Sequence, residues 1–280
     1  MYGAVLGDII GSPYEFNNCK SKDFPLFSRK SAFTDDSIMT LAVAKAFLEC
    51  VPGSDNQTIQ QQLVHEMITL AKHYPDRGYG HLFQEWLDSS EHEPYNSFGN
   101  GSAMRVSSVA WLYDDLDSVR HAARLSAIVT HNHPEGIKGA EALASAIFIA
   151  RSKHSKAEVK EYVENEFGYH LDLTCDRLRK SITFDETCPG SVPEAIIAFL
   201  EGESFEDAIR TAVSIGGDSD TIACMAGAIA EGFYGVPLHL KIACKMRLTP
   251  ELRRIMRMFS THIRNSRRMR QAVAARRIIK

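Results

Sequence analysis

Residues 219–230 read SDTIACMAGAIA, a helical run whose apolar side chains occupy nearly every face. Such a run has no polar side to turn toward water, so it predicts a helix at the centre of a multi-layer bundle. Residues 144–150, ASAIFIA, have the same character. The small residues in both runs allow neighbouring helices to approach closely. These two runs therefore predict the core of a helical protein.

Helical periodicity continues outward from these runs, whereas the alternation typical of strands is almost absent. We expect helices at 36–50, 56–73, 102–113, 117–129, 135–151, 155–167, 192–201, 204–215, 219–234 and 237–246. Cap residues precede several of them: Asp55, Asp117, Ser155 and Ser204. The informative loops are 11–34, 74–101, 130–134 and 184–191. No repeat or linker divides the sequence, so it predicts an all-α fold, a compact multi-helix bundle formed by one domain over 1–280.

The composition is that of a globular protein, with 280 residues of which 44% are hydrophobic. Its six cysteines form no CxxC pair, which favours reduced thiols in a cytoplasmic protein. No stretch approaches the roughly 18 apolar residues of a membrane span, so we expect neither secretion nor membrane insertion.

The charge is distributed unevenly along the chain. Residues 251–280 carry ten Lys or Arg against one Glu, whereas 1–250 carry 22 Lys or Arg against 34 acidic residues. We expect a basic helix at 251–280 that docks through its first apolar residues. Its arginines are expected to project into solvent, an outcome favoured over nucleic-acid binding.

Two short clusters of oxygen-bearing side chains precede apolar helical runs. They are Thr34-Asp35-Asp36 and Gly216-Gly217-Asp218-Ser219-Asp220-Thr221. Either cluster alone could cap a helix, because Asp, Ser and Thr accept hydrogen bonds from free backbone N–H groups. A cap needs one oxygen, however, whereas each cluster groups two carboxylates and a threonine hydroxyl, and crowded like charges repel unless a cation neutralises them. Mg²⁺ and Mn²⁺ prefer such hard oxygen ligands, so the two clusters together predict a divalent-metal site.

Three further segments bear chemically useful groups. Residues 98–105, FGNGSAMR, form a glycine-rich turn with accessible N–H groups, as in a phosphate-binding turn, although a turn that merely starts a helix explains it about as well. In 130–135, THNHPE, His131 is expected either to bind a phosphate or to hydrogen-bond within a buried turn, and the helical surroundings argue against an HNH nuclease. Glu15 lies in a flexible loop that leads toward Thr34.

The order of these motifs resembles the ADP-ribosylglycohydrolase family over nearly the whole chain. The matching segments are GDIIGSPYE at 7–15, FTDDSIMT at 33–40, FGNGSAMR at 98–105, THNHPEG at 130–136 and GGDSDTIACMAGAIAEGFYG at 216–235. The resemblance implies an all-α fold with two Mg²⁺ or Mn²⁺ ions, whose ligands are Thr34, Asp35, Asp36, Asp218, Asp220 and Thr221. It also implies contacts to the diphosphate and ribose of ADP-ribose from Gly99, Asn100, Gly101, Ser102 and His131. Glu15 matches the family's mobile acidic loop residue, and Ser219 stands where the family usually has Thr.

The resemblance further implies hydrolysis of the C1″ glycosidic bond of an ADP-ribosylated protein or small molecule, with release of ADP-ribose. ADP-ribosyl-arginine is favoured as the substrate, and Glu15, Asp35 or Asp36 as the base. One alternative is an inactive member that keeps ADP-ribose binding or only a structural role, as lens crystallins of this fold do. Another is a nucleic-acid-associated protein that acts through 251–280. The retained carboxylates weigh against the first, and the lack of aromatics among the arginines weighs against the second.

Overall fold

The computed structural model describes residues 1–51 and 53–278, and their side chains except those of residues 267 and 269–278. This part of the chain is built of helices without a strand, and a single isolated bridge joins Gly99 to Thr187. The helices are α1 (Tyr2–Gly11), α2 (Asp35–Glu49), α3 (Asn56–His73), α4 (His81–Asp88), α5 (Gly101–Met104), α6 (Val109–Leu112), α7 (Leu116–Ile128), α8 (Pro134–Arg151), α9 (Lys156–Phe167), α10 (Cys175–Ser181), α11 (Cys188–Glu201), α12 (Phe205–Ile215), α13 (Ser219–Tyr234), α14 (Leu238–Arg247) and α15 (Pro250–Ile278). The prediction of an all-α fold is confirmed.

Helix α13 forms the centre of the molecule. Its residues 219–230 are all buried, and it packs against α1, α8, α11 and α12. The second apolar run, 144–150, belongs to α8 and lies beside α13. The two runs therefore form the inner layer that their lack of a polar face predicted.

Helix α1 packs against α13 more closely than ordinary side chains would allow. A Cβ atom added at Gly3 or Gly7 would lie 2.0 Å from a backbone carbonyl oxygen of α13, and one at Gly11 would lie 2.4 Å from Asp220 Cα. These three glycines recur at a spacing of four, so they share one face of α1. Their contact with α13 brings Asp8, on the same buried helix, next to the acidic clusters.

Most predicted helices are present within a few residues of their expected ends. Asp55, Ser155 and Ser204 cap α3, α9 and α12 through their side chains, as predicted. The cap of α7, however, is Asp115 rather than Asp117. The predicted helix at 102–113 is interrupted, because α5 ends before Arg105 and a 3₁₀ turn separates it from α6.

Three helices were not predicted. Helix α1 has apolar residues or glycine at almost every position, so it shows no amphipathic period. Helix α10 has only seven residues, too few to display one. Helix α4 does show an apolar face, formed by Phe83, Trp86 and Leu87, but it lies within 74–101, which the sequence predicts to be a loop.

The basic C-terminal segment forms α15, whose first half docks on α2. Its docking face is the predicted one, with Leu252, Ile255, Met256 and Phe259 buried. Arg264 and Arg268 are exposed, as expected. The other arginines predicted to face outward have side chains outside the described set: Arg267, Arg270, Arg276 and Arg277. Within the described residues, no helix combines the length and the apolar character needed to cross a bilayer.

Candidate active site

The two acidic clusters meet where α2 and α13 begin. Their carboxylates form two overlapping groups, whose oxygen atoms lie within 4.8 Å of one another: Asp8, Asp36 and Asp220, and Glu15, Asp218 and Asp220. The hydroxyl of Thr221 joins the clusters by donating to Asp36 Oδ2 at 3.1 Å. Gly216 and Gly217 form the turn before α13 with positive φ angles of 84° and 69°, which glycine adopts readily. The fold thus brings together residues that lie far apart in the sequence.

Asp8 is absent from the predicted ligand set, although it lies at the centre of the cluster. It is fully buried and accepts hydrogen bonds from the N–H groups of Thr34 at 3.0 Å and Ser37 at 3.1 Å. The hydroxyls of both residues also donate to it. Asp8 therefore anchors the first turn of α2. The sequence signal was the Gly7-Asp8 pair, which lies in an apolar segment that had not been recognised as a helix.

Capping accounts for one of the two clusters only in part. Thr34 does cap α2, because its hydroxyl accepts from Asp36 N–H at 3.3 Å. Asp218 occupies the cap position of α13 without capping it. Its Oδ2 instead accepts a hydrogen bond of 2.6 Å from the amide of Asn100. Helix capping therefore does not explain why the two clusters contain so many carboxylates.

The carboxylates lie close together in a largely dehydrated site. Burial, reinforced by neighbouring carboxylates, raises the pKa of Asp36 and Asp220 well above the usual range. The pKa values of Asp35 and Asp218 are also raised, chiefly by burial. Burial and the charge of Asp218 raise the pKa of Glu15 to about 7. A bound cation would reverse these shifts, because it favours the ionised carboxylates.

The residues of the cluster fit a hard divalent cation. The buried Oδ1 atom of Asp36 has no hydrogen-bond partner among the described residues. A buried oxygen without a partner is costly, and a metal ion would satisfy it. The available donors are carboxylate and hydroxyl oxygens, which suit Mg²⁺ or Mn²⁺ better than softer metals.

Glu15 lies next to the carboxylate cluster, on a loop that hydrogen bonds hold in place. The side chain of Asn18 bonds both sides of Gly217, accepting from its N–H at 2.9 Å and donating to its carbonyl at 3.0 Å. The same amide donates to the carbonyl of Glu15 at 2.9 Å. Beside them, the exposed rings of Phe16 and Phe184 stack with centroids 6.0 Å apart. These hydrogen bonds connect the Glu15 loop to the turn that precedes Asp218, and the flexibility of the loop stays a prediction.

The glycine-rich turn at 98–105 offers fewer free N–H groups than its sequence suggested. The N–H of Gly99 donates to a serine hydroxyl at 3.1 Å, and that of Asn100 donates to the Glu186 carbonyl at 2.7 Å. The next two N–H groups, of Gly101 and Ser102, have no acceptor among the described residues. The hydroxyl of Ser102 is turned into the core, where it donates to a carbonyl of α8 at 2.7 Å.

His131 lies behind this turn. Its Nδ1 atom is 2.7 Å from Thr130 Oγ1, and its Nε2 atom faces the turn, since a Cβ atom at Gly101 would lie 3.0 Å from it. Burial and the positive charge of Arg105 hold the pKa of His131 well below the usual range. The imidazole is therefore neutral at physiological pH.

These groups line one cavity of about 200 Å³. Ten of the predicted site residues are in its wall: Glu15, Asp35, Asp36, Gly99, Asn100, Gly101, His131, Asp218, Asp220 and Thr221. Thr34 and Ser102 lie behind the wall. One end of the cavity is a carboxylate cluster suited to cations, and the other end presents N–H groups and an imidazole suited to an anion.

Comparisons with known proteins agree with this architecture. The family model described as ADP-ribosylglycohydrolase matches residues 1–267. The protein named ADP-ribosylhydrolase ARH3 of Bos taurus is 30% identical, and the match covers 84% of this chain and 83% of that protein. The protein of the same name from Xenopus tropicalis is 28% identical over 88% and 89% of the two chains.

Two more distant matches are consistent with these. The ADP-ribosylarginine hydrolase Tri1 of Pseudomonas putida is 22% identical over 84% of this chain and 70% of that protein. A solved structure titled ADP-ribosylglycohydrolase-related protein complex covers 92% of this chain and 95% of its own, with a TM-score of 0.66 and 21% identity, and so supports the fold. The chain therefore belongs to the ADP-ribosylglycohydrolase family, which confirms the resemblance of its motifs.

Proposed function

We propose that this ADP-ribosyl hydrolase is metal-dependent and releases ADP-ribose from an ADP-ribosylated arginine side chain. One observation carries the proposal: the cavity joins a buried carboxylate cluster, including a partnerless Asp36 oxygen, to a turn with two free N–H groups. The first feature suits metal ions and the second suits a diphosphate. ADP-ribose carries both a diol and a diphosphate, so it can occupy both ends at once.

Two Mg²⁺ or Mn²⁺ ions are proposed to bind the predicted ligands: Thr34, Asp35, Asp36, Asp218, Asp220 and Thr221. When bound, such ions supply positive charge that orients the ribose hydroxyls and polarises a water molecule. Asn100 holds Asp218 in place through its 2.6 Å hydrogen bond, and Asp8 holds the start of α2. Neither residue needs to touch the substrate for these roles.

Glu15 is the proposed general base. It lies beside Asp218 and Asp220 at the cavity wall, and bound metal ions would keep its carboxylate ionised and able to accept a proton near neutral pH. It takes the proton of the water whose oxygen attacks C1″, while the bond from C1″ to the leaving nitrogen breaks and its electron pair stays on that nitrogen, so that the cationic guanidinium leaves as a neutral guanidine. Asp35 and Asp36 remain the alternative bases.

The charge of the cavity supports arginine as the leaving group. Glu15 and Glu186 lie in the same wall as the aspartates. Carboxylates of this number favour a cationic guanidinium over a neutral hydroxyl, because opposite charges attract strongly in a poorly hydrated site. The relative named ADP-ribosylarginine hydrolase adds independent support.

A purely structural role is the second candidate, since a fold can persist after its activity is lost. The carboxylate cluster weighs against that role. Buried and mutually repelling carboxylates destabilise a fold unless they are protonated or paired with a cation. A structural protein gains nothing by keeping them.

The decisive experiment is a substrate panel. Peptides ADP-ribosylated on arginine or on serine are incubated with Mg²⁺, Mn²⁺ or chelator, and free ADP-ribose is measured. Release from the arginine peptide with either metal, and none in chelator, is the expected result. Asp218→Ala should abolish that release.

Other outcomes separate the alternatives. Release from the serine peptide alone would show that serine rather than arginine is the leaving group. It would leave the metal assignment unchanged. Activity in chelator would disprove the metal assignment. No release from any substrate, together with calorimetric binding of ADP-ribose, would make the chain an inactive binder.

A further inference from the structure

Arg105 is a buried cation without a counter-ion among the described residues. It is 1% exposed, and no carboxylate of the described residues pairs with it. Its Nη2 atom donates to the Ser126 carbonyl and to Thr130 Oγ1, both at 2.7 Å, while its Nε atom has no acceptor. Burial lowers the pKa of Arg105 only to about 10, so it stays charged at neutral pH. A buried charge of this kind is costly unless something nearby compensates it.

The hydroxyl of Thr130 connects Arg105 to the cavity. A hydroxyl has one proton to donate and two lone pairs to accept with. Arg105 can only donate, so it occupies one lone pair of the Thr130 hydroxyl. Thr130 is fully buried, and its hydroxyl proton has one acceptor within hydrogen-bonding distance among the described residues, His131 Nδ1 at 2.7 Å. The opposite arrangement, in which an Nδ1–H group donates to Thr130, leaves that hydroxyl proton without an acceptor among the described residues.

This donor count fixes the state of His131. An Nδ1 atom that accepts a hydrogen bond from Thr130 carries no proton itself, so the proton of the neutral ring lies on Nε2. The nearby charge of Arg105 favours the same arrangement, because it repels a second positive N–H at Nδ1. The Nε2 atom faces Gly101 and has no hydrogen-bond partner among the described residues.

We propose that Arg105 and Thr130 are positioning residues that hold His131 as the neutral tautomer protonated on Nε2, so that this N–H donates to the substrate's diphosphate. The inference rests on the proposed function only for the identity of the anion. The Nε2 atom lies at the same turn as the N–H of Gly101, which has no acceptor among the described residues, so two donors serve this end of the cavity. The anion accepted there also supplies the counter-charge that Arg105 lacks.

A merely structural role for Arg105 makes a different prediction. Its bond to the Ser126 carbonyl ties the end of α5 to α7, and that tie would not depend on the proton position in His131. The tautomer is therefore the readout that separates the two roles.

The first arm of the test is ¹⁵N NMR of the ligand-free, histidine-labelled full chain. The ring signals of His131 are identified by their loss in His131→Gln. Wild type and Thr130→Ser, which keeps the hydroxyl, should show the pattern of protonation on Nε2. Thr130→Val removes the hydroxyl and should shift population toward Nδ1. Protonation on Nδ1 in wild type, or an unchanged pattern in Thr130→Val, would overturn the proposal.

The second arm measures binding by calorimetry with ADP-ribose, ADP and adenosine. Thr130→Val should weaken binding of the two diphosphates roughly tenfold, the worth of one hydrogen bond to a charged group, and leave adenosine unaffected. Thr130→Ser should restore wild-type affinity. Equal weakening for adenosine would reveal a general distortion and overturn the donor role. If wild type binds no ADP-ribose, the proposed function fails while the NMR arm still decides the tautomer.

A folding control accompanies both arms. Near-ultraviolet circular dichroism and the melting temperature are compared between Thr130→Val and Thr130→Ser. If Thr130→Val does not fold, Thr130→Ala takes its place, since it removes the same hydroxyl without adding bulk.

Discussion

Glu15 is the carboxylate whose replacement tests catalysis most directly. It is half-buried beside Asp218 and Asp220, where its carboxylate can take a proton from a water molecule at the cluster. Glu15→Gln keeps the shape of the side chain and removes its basicity. We expect kcat to fall by roughly 10²–10⁴-fold, the usual worth of general acid–base catalysis. The measurement is kcat on an ADP-ribosylated substrate at saturating Mg²⁺.

The dissociation constant of ADP-ribose, measured under the same conditions, is the control for this prediction. It should barely change, because a base acts in the transition state. A variant with wild-type kcat would transfer the role of base to Asp35 or Asp36. Loss of ADP-ribose binding in step with kcat would instead make Glu15 a substrate-binding residue.

Single residues differed in how far the sequence revealed them. Asp36, Asp218 and Asp220 stood in short clusters of like chemistry, so their proximity to a common site could be predicted without the fold. Asp8 could not, because it is a lone carboxylate in an apolar segment and its role depends on contact with Thr34 and Ser37. The hydrogen bond from the Asn100 amide to Asp218 could not be predicted either. Such contacts exist only after α1, α2 and α13 have packed.

The side chain of Asn18 connects two structural elements through hydrogen bonds. Its side chain hydrogen-bonds both the N–H and the carbonyl of Gly217, as a neighbouring backbone segment would. It also donates to the carbonyl of Glu15, and so it connects the Glu15 loop to the turn before α13. Asn18→Ala removes all of these bonds. We expect kcat to fall and hydrogen exchange at the Gly217 N–H to quicken, while the fold persists, because Asn18 is exposed and leaves no cavity.

Asn17 provides a matched control for this prediction. It is the preceding residue, is exposed, and forms no hydrogen bond within the described structure. Asn17→Ala should leave both kcat and the exchange rate unchanged. If Asn17→Ala and Asn18→Ala behave alike, the loop is not held by this side chain.

At the level of helices, long periodic segments were predicted well and short or fully buried ones poorly. Helices α3, α8 and α9 show strong caps or long patterns, and their bounds lie close to the predicted ones. Helix α1 escaped prediction because glycine and apolar residues on all sides remove the polar face that makes periodicity visible. Its helical state depends on tertiary contact with α13, which sequence patterns report only weakly.

At the scale of the whole molecule, charge is divided along the chain: residues 1–250 carry an excess of acidic residues, several of which line the cavity, and 251–280 carry an excess of basic ones. That the chain forms one domain stays a prediction, and nucleic-acid binding by its basic tail stays an untested, disfavoured alternative. The buried carboxylates make the free energy of unfolding depend on both pH and divalent metal. This link gives a test of the site that does not require substrate.

The last prediction concerns the melting temperature of metal-free and metal-loaded protein. The pKa values of Asp8 and Glu15 are raised to about 6 and about 7, and those of Asp35, Asp36, Asp218 and Asp220 are raised as well. Between the unfolded values near 4 and these raised values, the native state binds more protons than the unfolded chain, so the free energy of unfolding falls as pH rises.

Metal-free protein should therefore melt at lower temperature at about pH 8 than at about pH 5. Mg²⁺ or Mn²⁺ binds the ionised carboxylates, so the rise in melting temperature on adding metal should be larger at the higher pH. Differential scanning calorimetry in chelator and in saturating metal measures both effects. Asp36→Asn should reduce both the pH dependence and the metal response, because it removes one repelling charge and one ligand. A metal response that is absent, or equal at the two pH values, would show that these carboxylates hold no divalent ion.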